Sequence, residues 1–378
     1  MNPNSIPLEI DTQARRIVVI NTAFLGDLVL TISFISVLKQ KFPQAKIILV
    51  CKKGIGDFFL KLKMVDEIQE VQKGSAQDYA LVVRNLNQVM NDFVFCIHRS
   101  FRSYLFSIRI KTVVRVGYRL GFNFFGYDYR VPRDLLLPEP LRILQLLALI
   151  DGRFAVFFAK ESKIRNFNFK EADQHMVEVP AWAQFPRVAI PPLGSSGRAE
   201  LVESVKHKVG DEKHIAVFPG SVWNTKRWPL ESFAQLVDHL RQLNYKVLLM
   251  GGAGEEIYGD EIVKRVGAGE GVVNLIGKSS VWESILVLNQ CDLVVANDSA
   301  SAHLAALLGK KILVFFGPTV LHFGYRPWGN FVYVLENEAL ACRPCGSHGH
   351  HECPIKTHEC MKSIHVSSVL NKVQQLAK

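Results

Sequence analysis

Two stretches of this 378-residue chain carry the groups best suited to chemistry: Val217-Phe-Pro-Gly-Ser-Val-Trp-Asn-Thr-Lys-Arg-Trp-Pro229 and Val295-Ala-Asn-Asp-Ser-Ala-Ser-Ala-His303. Each begins with apolar, strand-forming residues, passes through small and polar ones, and continues into a helix-forming run. In a parallel α/β sheet such junctions gather strand carboxyl ends and helix amino ends, where backbone N–H groups and the helix dipole favour phosphate. Gly220 permits close backbone approach, Ser221 and Thr225 offer hydroxyls, and Lys226 offers a flexible cation with Arg227 as a second beside it. Trp228-Pro229 fixes where the next helix starts. At the second junction Asp298 is suited to accept hydrogen bonds from sugar hydroxyls, while Ser299 and the first helical amides face phosphate. His303 reads either as part of this donor edge or as a packed helix histidine. A lysine at one junction and an aspartate at the other suit a nucleotide sugar, which carries both phosphate charge and hydroxyls.

The Gly220–Lys226 loop lacks the Gly-x-x-x-x-Gly-Lys-Ser/Thr arrangement of a P-loop, and no Asp-x-Asp pair is present to hold a divalent ion. A diphosphate leaving group needs its developing charge neutralised, so lysine with helix-dipole donors is the expected route, with no catalytic cofactor. Gly251-Gly-Ala-Gly254 and Glu255-Glu256 end another strand; the glycines permit nucleoside approach, and one of the two carboxylates suits ribose hydroxyls, unless the pair is a solvated helix start. In Ile20-Asn-Thr-Ala-Phe-Leu-Gly-Asp-Leu28 a strand gives way to a small-residue turn and a helix, and Asp27 reads either as a helix N-cap or as a carboxylate aimed into a cleft.

The elements that must position these groups form two alternating series. Ile17–Ile20, Ile47–Val50, Phe93–Ile97 and Val113–Gly117 read as buried strands, with a helix over Leu28–Lys39. A second series runs Ile215–Phe218, Lys246–Met250, Val272–Ile276, Leu293–Ala296 and Ile312–Phe316, with helices at Leu230–Leu243, Glu255–Val266, Val281–Gln290 and Ala302–Leu308. Short continuous apolar strands separated by helices predict parallel sheets covered on both faces. The expected fold class is α/β, two Rossmann-like doubly wound domains facing a cleft: residues 1–185, a linker at 186–213 near Gly194-Ser-Ser-Gly197, and residues 214–378.

A hydrophobic content of 48% with 21% charged residues excludes a disordered chain. The apolar run from Ile17 to Leu38 is interrupted by Asn21 and Asp27, so a packed domain and a cytoplasmic location are expected rather than a signal peptide or membrane span. The net charge of +10 is uneven, with +9 of it before Ile190. Between Arg99 and Arg133 lie eight basic residues and one acidic, Asp128. That cluster is either a solvated face or the mark of an anionic partner: a phosphorylated or carboxylated acceptor, or an anionic membrane surface. No aromatic-interleaved RNA motif accompanies it, so nucleic acid is not the expected partner.

Seven cysteines without a secretion signal argue against a disulfide framework. Cys51, Cys96 and Cys291 sit in apolar runs and are expected in the core. Cys342, Cys345, Cys353 and Cys360 lie close together among His348, His350, His351 and His358, so they suit a structural zinc site, reduced loop thiols or a labile disulfide.

Taken in order, these pieces resemble the ADP-heptose:lipopolysaccharide heptosyltransferases of glycosyltransferase family 9. The matching signatures are Ala23-Phe-Leu-Gly-Asp27, Pro219-Gly-Ser-(x)4-Lys-Arg-Trp-Pro229, Gly277-Lys-Ser279, Asn297-Asp-Ser-Ala-Ser-Ala-His-Leu-Ala-Ala306 and the late cysteine pattern. The resemblance implies a GT-B fold with the acceptor on the first domain and ADP-sugar on the second. It assigns general base to Asp27, diphosphate binding to Ser221 and Lys226, ribose contact to Glu256 and heptose contact to Asp298, with Gly277 beside them on the donor side. Ala300 stands where members commonly carry glycine, a departure at the backbone facing the phosphate. The implied acceptor is lipid-linked lipopolysaccharide core at the inner membrane, with Arg99, Arg102 and Arg119 as candidate contacts and peripheral attachment to the anionic surface. The rival readings are a nucleotide-sugar epimerase or hydrolase on the same fold, and a basic, zinc-stapled nucleic-acid-binding module.

Overall fold

The computed structural model describes residues 14–148, 150, 190, 213–267 and 271–377. These fall into two compact units, 14–150 and 190–377, each built on its own six-stranded sheet. Apart from residues 190 and 213, the linker expected at 186–213 lies outside the described residues.

In the first unit the strands are β1 (Arg16–Asn21), β2 (Lys46–Lys52), β3 (Glu67–Val71), β4 (Asn91–Cys96), β5 (Thr112–Tyr118) and β6 (Tyr129–Val131). They run in the order β3-β2-β1-β4-β5-β6, and every pair is parallel. Ile17 to Ile20 and Ile47 to Cys51 are wholly buried, as a sheet covered on both faces requires. The helix predicted over Leu28–Lys39 is two helices, α1 (Leu25–Val29) and α2 (Ile32–Lys41). The break has a local cause. Asn21 Nδ2 and Thr31 Oγ1 both donate to the Asp27 carbonyl, at 3.2 and 3.1 Å, and so compete with the helical ladder. Further along lie α3 (Asp57–Lys61), α4 (Ala76–Leu86), α5 (Phe101–Ser107) and α6 (Glu139–Leu144).

The second unit repeats the plan with β7 (His214–Phe218), β8 (Lys246–Leu249), β9 (Val272–Asn274), β10 (Leu293–Asn297), β11 (Lys311–Phe316) and β12 (Val332–Glu336). Their order is β12-β11-β10-β7-β8-β9, again all parallel. Its helices are α7 (Leu230–Gln242), α8 (Glu256–Val266), α9 (Val281–Gln290), α10 (Ala300–Leu307), α11 (Glu359–Lys362) and α12 (Val366–Ala377). A capping box between Ser280 and Glu283 starts α9. Trp228, Phe233 and Phe315 meet in the core, and the Trp228 indole donates to the Ile364 carbonyl at 2.8 Å, tying the C-terminal helices to this sheet.

Both sheets therefore reverse their strand order beside their first strand, between β1 and β4 and between β7 and β10. Crevices for ligands open at the carboxyl ends of such strands. Asp27 follows β1, Lys226 follows β7 and Asp298 follows β10, so all three stand at a switch point.

Candidate active site

In the first unit Asp27 sits in the first turn of α1, but the N-cap is Phe24, so the N-cap reading of Asp27 does not hold. Burial pushes its carboxyl up to about 6, and the nearby Glu139 charge adds to that. A hydrogen bond from the Phe24 backbone and the Arg99 charge oppose the shift only in part. Glu139 is itself buried between Arg133 and Arg142, the latter at 3.1 Å. A carboxylate with this affinity for protons is mostly ionised at neutral pH yet basic enough to accept one during a reaction.

In the same unit, His98 Nδ1 lies 2.9 Å from both Thr22 Oγ1 and Ser103 Oγ. Burial, then the charges of Lys73 and Arg99, depress the imidazole to about 4, which keeps it neutral at physiological pH. Thr22 and His98 belong to a cavity of about 680 Å³ whose lining also includes Lys73, Phe101, Arg102 and Arg109. Of the three predicted acceptor contacts, Arg102 lines this cavity. Arg99 acts on Asp27 and His98 through its charge, and Arg119 follows β5 without lining the cavity. Nothing in the local sequence marks Lys73; the β3–α4 turn brings it to the cavity.

In the second unit Lys226 Nζ contacts Asp298 Oδ2 at 2.5 Å, and Thr319 Oγ1 donates to the same oxygen at 3.0 Å. Asn297, fully buried, ties the two junctions together. Its amide donates to the Pro219 and Gly220 carbonyls at 2.9 and 3.2 Å, and its oxygen accepts from Trp228 N at 2.9 Å. No role for Asn297 was legible in the sequence beyond its place in the motif. His303 is buried on α10, held neutral at about 4 by burial, and its Nδ1 has no hydrogen-bond partner among the described residues. Ser299 is the N-cap of α10, yet its hydroxyl pairs with Ser301 Oγ at 2.7 Å instead of capping the helix.

Other predicted contacts have structural employment. Arg227 grips the Ser221 carbonyl through Nε and Nη2, at 2.8 and 2.6 Å, and lies over the Tyr258 ring; it shapes the loop rather than standing ready as a second cation. The Ser221 side chain is buried. Thr225 Oγ1 donates to the His350 carbonyl at 3.0 Å and accepts from His350 N at 2.8 Å, which spends its hydroxyl within the protein. Glu256 Oε2 accepts from Gly254 N, and its carboxylate occupies the space a Cβ on Gly277 would need. Its neighbour Glu255 does the same to Gly220, accepts from Gly252 N at 3.0 Å, and has its pKa raised by burial. Two adjacent carboxylates thus serve two different loops, which the Glu-Glu dipeptide alone did not distinguish. Gly277 is fixed as glycine also by its φ of +74°.

The cysteine-rich segment buttresses this junction. Trp223 stacks on His348 with ring centroids 4.6 Å apart, His358 Nε2 lies 2.9 Å from the Thr225 carbonyl, and Cys345 N donates to the Pro318 carbonyl at 2.9 Å. Cys342, Cys345, Cys353 and Cys360 are all free thiols. Burial pushes Cys360 up to about 11, and the charges of the other three add to that. Among the described residues no group of three or more His, Cys, Asp or Glu side chains could hold a metal ion, so the zinc reading loses its geometric support. Cys51, Cys96 and Cys291 are buried in the core as expected.

Comparison with known proteins places this geometry in context. The family model for glycosyltransferase family 9 (heptosyltransferase) matches residues 80–356. Lipooligosaccharide heptosyltransferase 2 of Campylobacter jejuni is 31% identical over 170 residues, 44% of this chain and 52% of that protein. Lipopolysaccharide heptosyltransferase 2 of Salmonella typhimurium is 24% identical over 314 residues, 80% of this chain and 83% of that one. Among solved structures, a glycosyl transferase family 9 protein of Veillonella parvula superposes with a TM-score of 0.75 at 22% identity, covering 98% and 99% of the two chains. The E. coli ADP-heptose lps heptosyltransferase II gives 0.72 at 21%, covering 96% and 98%. The structural likeness confirms the two-domain GT-B fold. With a family model spanning most of its length, the chain belongs to glycosyltransferase family 9, the heptosyltransferases.

Proposed function

We propose that the protein transfers heptose from ADP-heptose to the inner core of lipid-linked lipopolysaccharide, with inversion at the anomeric carbon. The observation that carries this reading is the Asp27 carboxyl, pushed up to about 6 in the first turn of α1, on the same β1–α1 junction whose Thr22 lines the basic cavity of about 680 Å³. Asp27 removes the proton from an acceptor hydroxyl as its oxygen attacks the anomeric carbon opposite the nucleotide. The C–O bond to the diphosphate breaks, and negative charge collects on the departing ADP. Lys226 and the backbone amides of the loops after β7 and β10 stabilise that charge, as preorganised donors do. Asp298, already accepting from Lys226 and Thr319, exchanges part of this pairing for sugar hydroxyls, and a Glu255 or Glu256 carboxylate takes the ribose. Lys73, Arg102 and Arg109 receive the acceptor's carboxylates and phosphates.

The relatives named as heptosyltransferases support the donor and acceptor classes. None of the helices among the described residues is long and apolar enough to cross a membrane, which is consistent with peripheral work at the cytoplasmic face on a lipid-anchored substrate. The test is product analysis of purified protein with ADP-heptose, with and without Kdo-bearing acceptor. Acceptor-dependent release of ADP and an extended core of inverted anomeric configuration are expected. Consumption of ADP-heptose at the same rate without acceptor would assign the chain to the epimerase or hydrolase class instead.

A further inference from the structure

We propose that the β5–β6 loop around Phe122–Gly126 is a membrane-docking wedge whose aromatic side chains enter the headgroup layer of an anionic phospholipid bilayer. Phe125 is 82% exposed, Phe124 64% and Phe101 54%, with Phe122 beside them at 40%. Clustered exposed aromatics of this kind mark interaction sites rather than ordinary surface. The loop is held from beneath. Buried Asn123 donates to the Tyr118 carbonyl at 2.7 Å and accepts from Leu120 N at 2.8 Å, while Tyr104 Oη donates to the Phe125 carbonyl at 3.0 Å. The rings are therefore displayed on a fixed backbone.

Charge identifies the occupant. Of the charged residues from Arg99 to Arg133, eight are basic and one is acidic, and the acid, Asp128, accepts from Arg115 N at 2.7 Å. Arg115 donates to the Gly126, Ser107 and Ile110 carbonyls and so braces the loop, while Arg130 Nη1 donates to the Asn123 carbonyl at 3.3 Å and leaves a cation at its base. Aromatic rings at headgroup depth with Lys and Arg behind them fit a surface of phosphate esters over hydrocarbon. Position supports the same occupant. Phe122 packs edge-on against Phe101 at 5.3 Å, and Phe101 lines the basic cavity, so the patch continues into the cavity assigned to the acceptor. This inference rests on the proposed lipid-linked acceptor for its purpose, since a docked loop would hold the cavity mouth at the layer where that substrate's sugars emerge.

The test compares the full chain with a Phe124→Ser/Phe125→Ser double variant for co-sedimentation with phosphatidylcholine vesicles, with and without phosphatidylglycerol. Wild type is expected to bind the anionic vesicles in a salt-sensitive manner, and the variant to bind on the order of tenfold to a hundredfold more weakly, from loss of two inserting rings. A separate Phe125→Trp variant should show a blue-shifted emission that brominated lipid quenches. Turnover of a water-soluble, deacylated acceptor should be the same in wild type and double variant, while turnover of vesicle-embedded acceptor should fall in the variant. Equal vesicle binding by both proteins, or no quenching of the indole introduced by Phe125→Trp, would overturn the wedge. So would light scattering that shows self-association abolished by the double variant without vesicle binding, since the patch would then be a contact between copies. Failure of wild type on the soluble acceptor would instead count against the proposed reaction and leave the vesicle result to decide docking.

Discussion

At the end of β1, Asp27 is held where burial and the Glu139 charge both work against its ionisation. At the end of β10, Asp298 lies against Lys226 Nζ at 2.5 Å, with the Thr319 hydroxyl donating to the same oxygen. The two sheets share one strand order, and the aspartates flank its reversal point from opposite sides, Asp27 after the first strand of its sheet and Asp298 after the fourth of the other. Their surroundings differ as well: burial, reinforced by the Glu139 charge, acts on Asp27, whereas the Lys226 ammonium faces Asp298. A carboxylate that must take a proton gains from an environment that raises its affinity for one, whereas a carboxylate and an ammonium that must both bind ligand are stabilised by each other until the ligand arrives. In the proposed reaction the loop after the first strand of one unit serves proton transfer, and the loop after the fourth strand of the other, across the reversal point, serves charge recognition.

The largest effect that would break this contrast comes from Asp27→Ala. Turnover is expected to fall about 10²–10⁴-fold with ADP-sugar affinity nearly unchanged; a variant with near-normal kcat would remove Asp27 from the chemistry. Lys226→Ala should lose donor affinity and kcat together, by about 10–100-fold. It should also destabilise the fold by about 3 kcal/mol, because Asp298 is left buried without its cation. Adding Asp298→Asn should recover much of the melting temperature but not the donor affinity, and calorimetry with donor titration separates the two. Unchanged donor affinity in Lys226→Ala would count against the recognition role.

A pH profile sharpens the other side. Because the active form of Asp27 is the ionised one and its pKa is about 6, kcat/KM should rise with pH and reach half its plateau near pH 6. Glu139→Gln removes a negative neighbour, so this midpoint should move to lower pH; a midpoint that stays put would show that burial alone sets it. The linkage sign also follows. Between its ordinary value of 3.8 and about 6 the folded protein holds the Asp27 proton more tightly than the unfolded chain, so this group's contribution to stability falls as pH rises through that window. Asp27→Asn should accordingly melt higher than wild type at neutral pH and lose that advantage below about pH 4. The smallest effect is expected from Thr225→Val, about 1 kcal/mol of stability from the lost His350 contacts, with little change in donor binding. A loss of donor affinity without a stability change would return Thr225 to the ligand-contact role the sequence suggested.

Legibility followed the continuity of apolar runs. The central strands β1, β2, β4, β7, β8, β10 and β11 were readable because both faces are covered and their sequences are nearly continuous apolar runs. Of the edge strands, β9 was read from its apolar Val272–Ile276 run although it is partly exposed, whereas β3, β6 and β12 were not; Glu67-Ile-Gln-Glu-Val71 and Tyr129-Arg-Val131 carry polar residues that blur the signal. The α1–α2 break escaped because it depends on Asn21 reaching Thr31 across a turn. Arg227 and Thr225 looked like free ligand groups because their partners, Tyr258 and His350, are 31 and 125 residues away.

The chain's own order of residues determined the two alternating series, the strand-end motifs and the surplus of cations before Ile190, because hydrophobic period, glycine placement and charge are local properties. Only the folded arrangement decided that Glu139 would oppose ionisation of Asp27, that Lys226 and Asp298 would pair, and that Lys73 would join Arg102 and Arg109 at one cavity. Those outcomes depend on distances of a few ångströms between residues distant in sequence, and electrostatic energy and desolvation respond to such distances rather than to spacing along the chain.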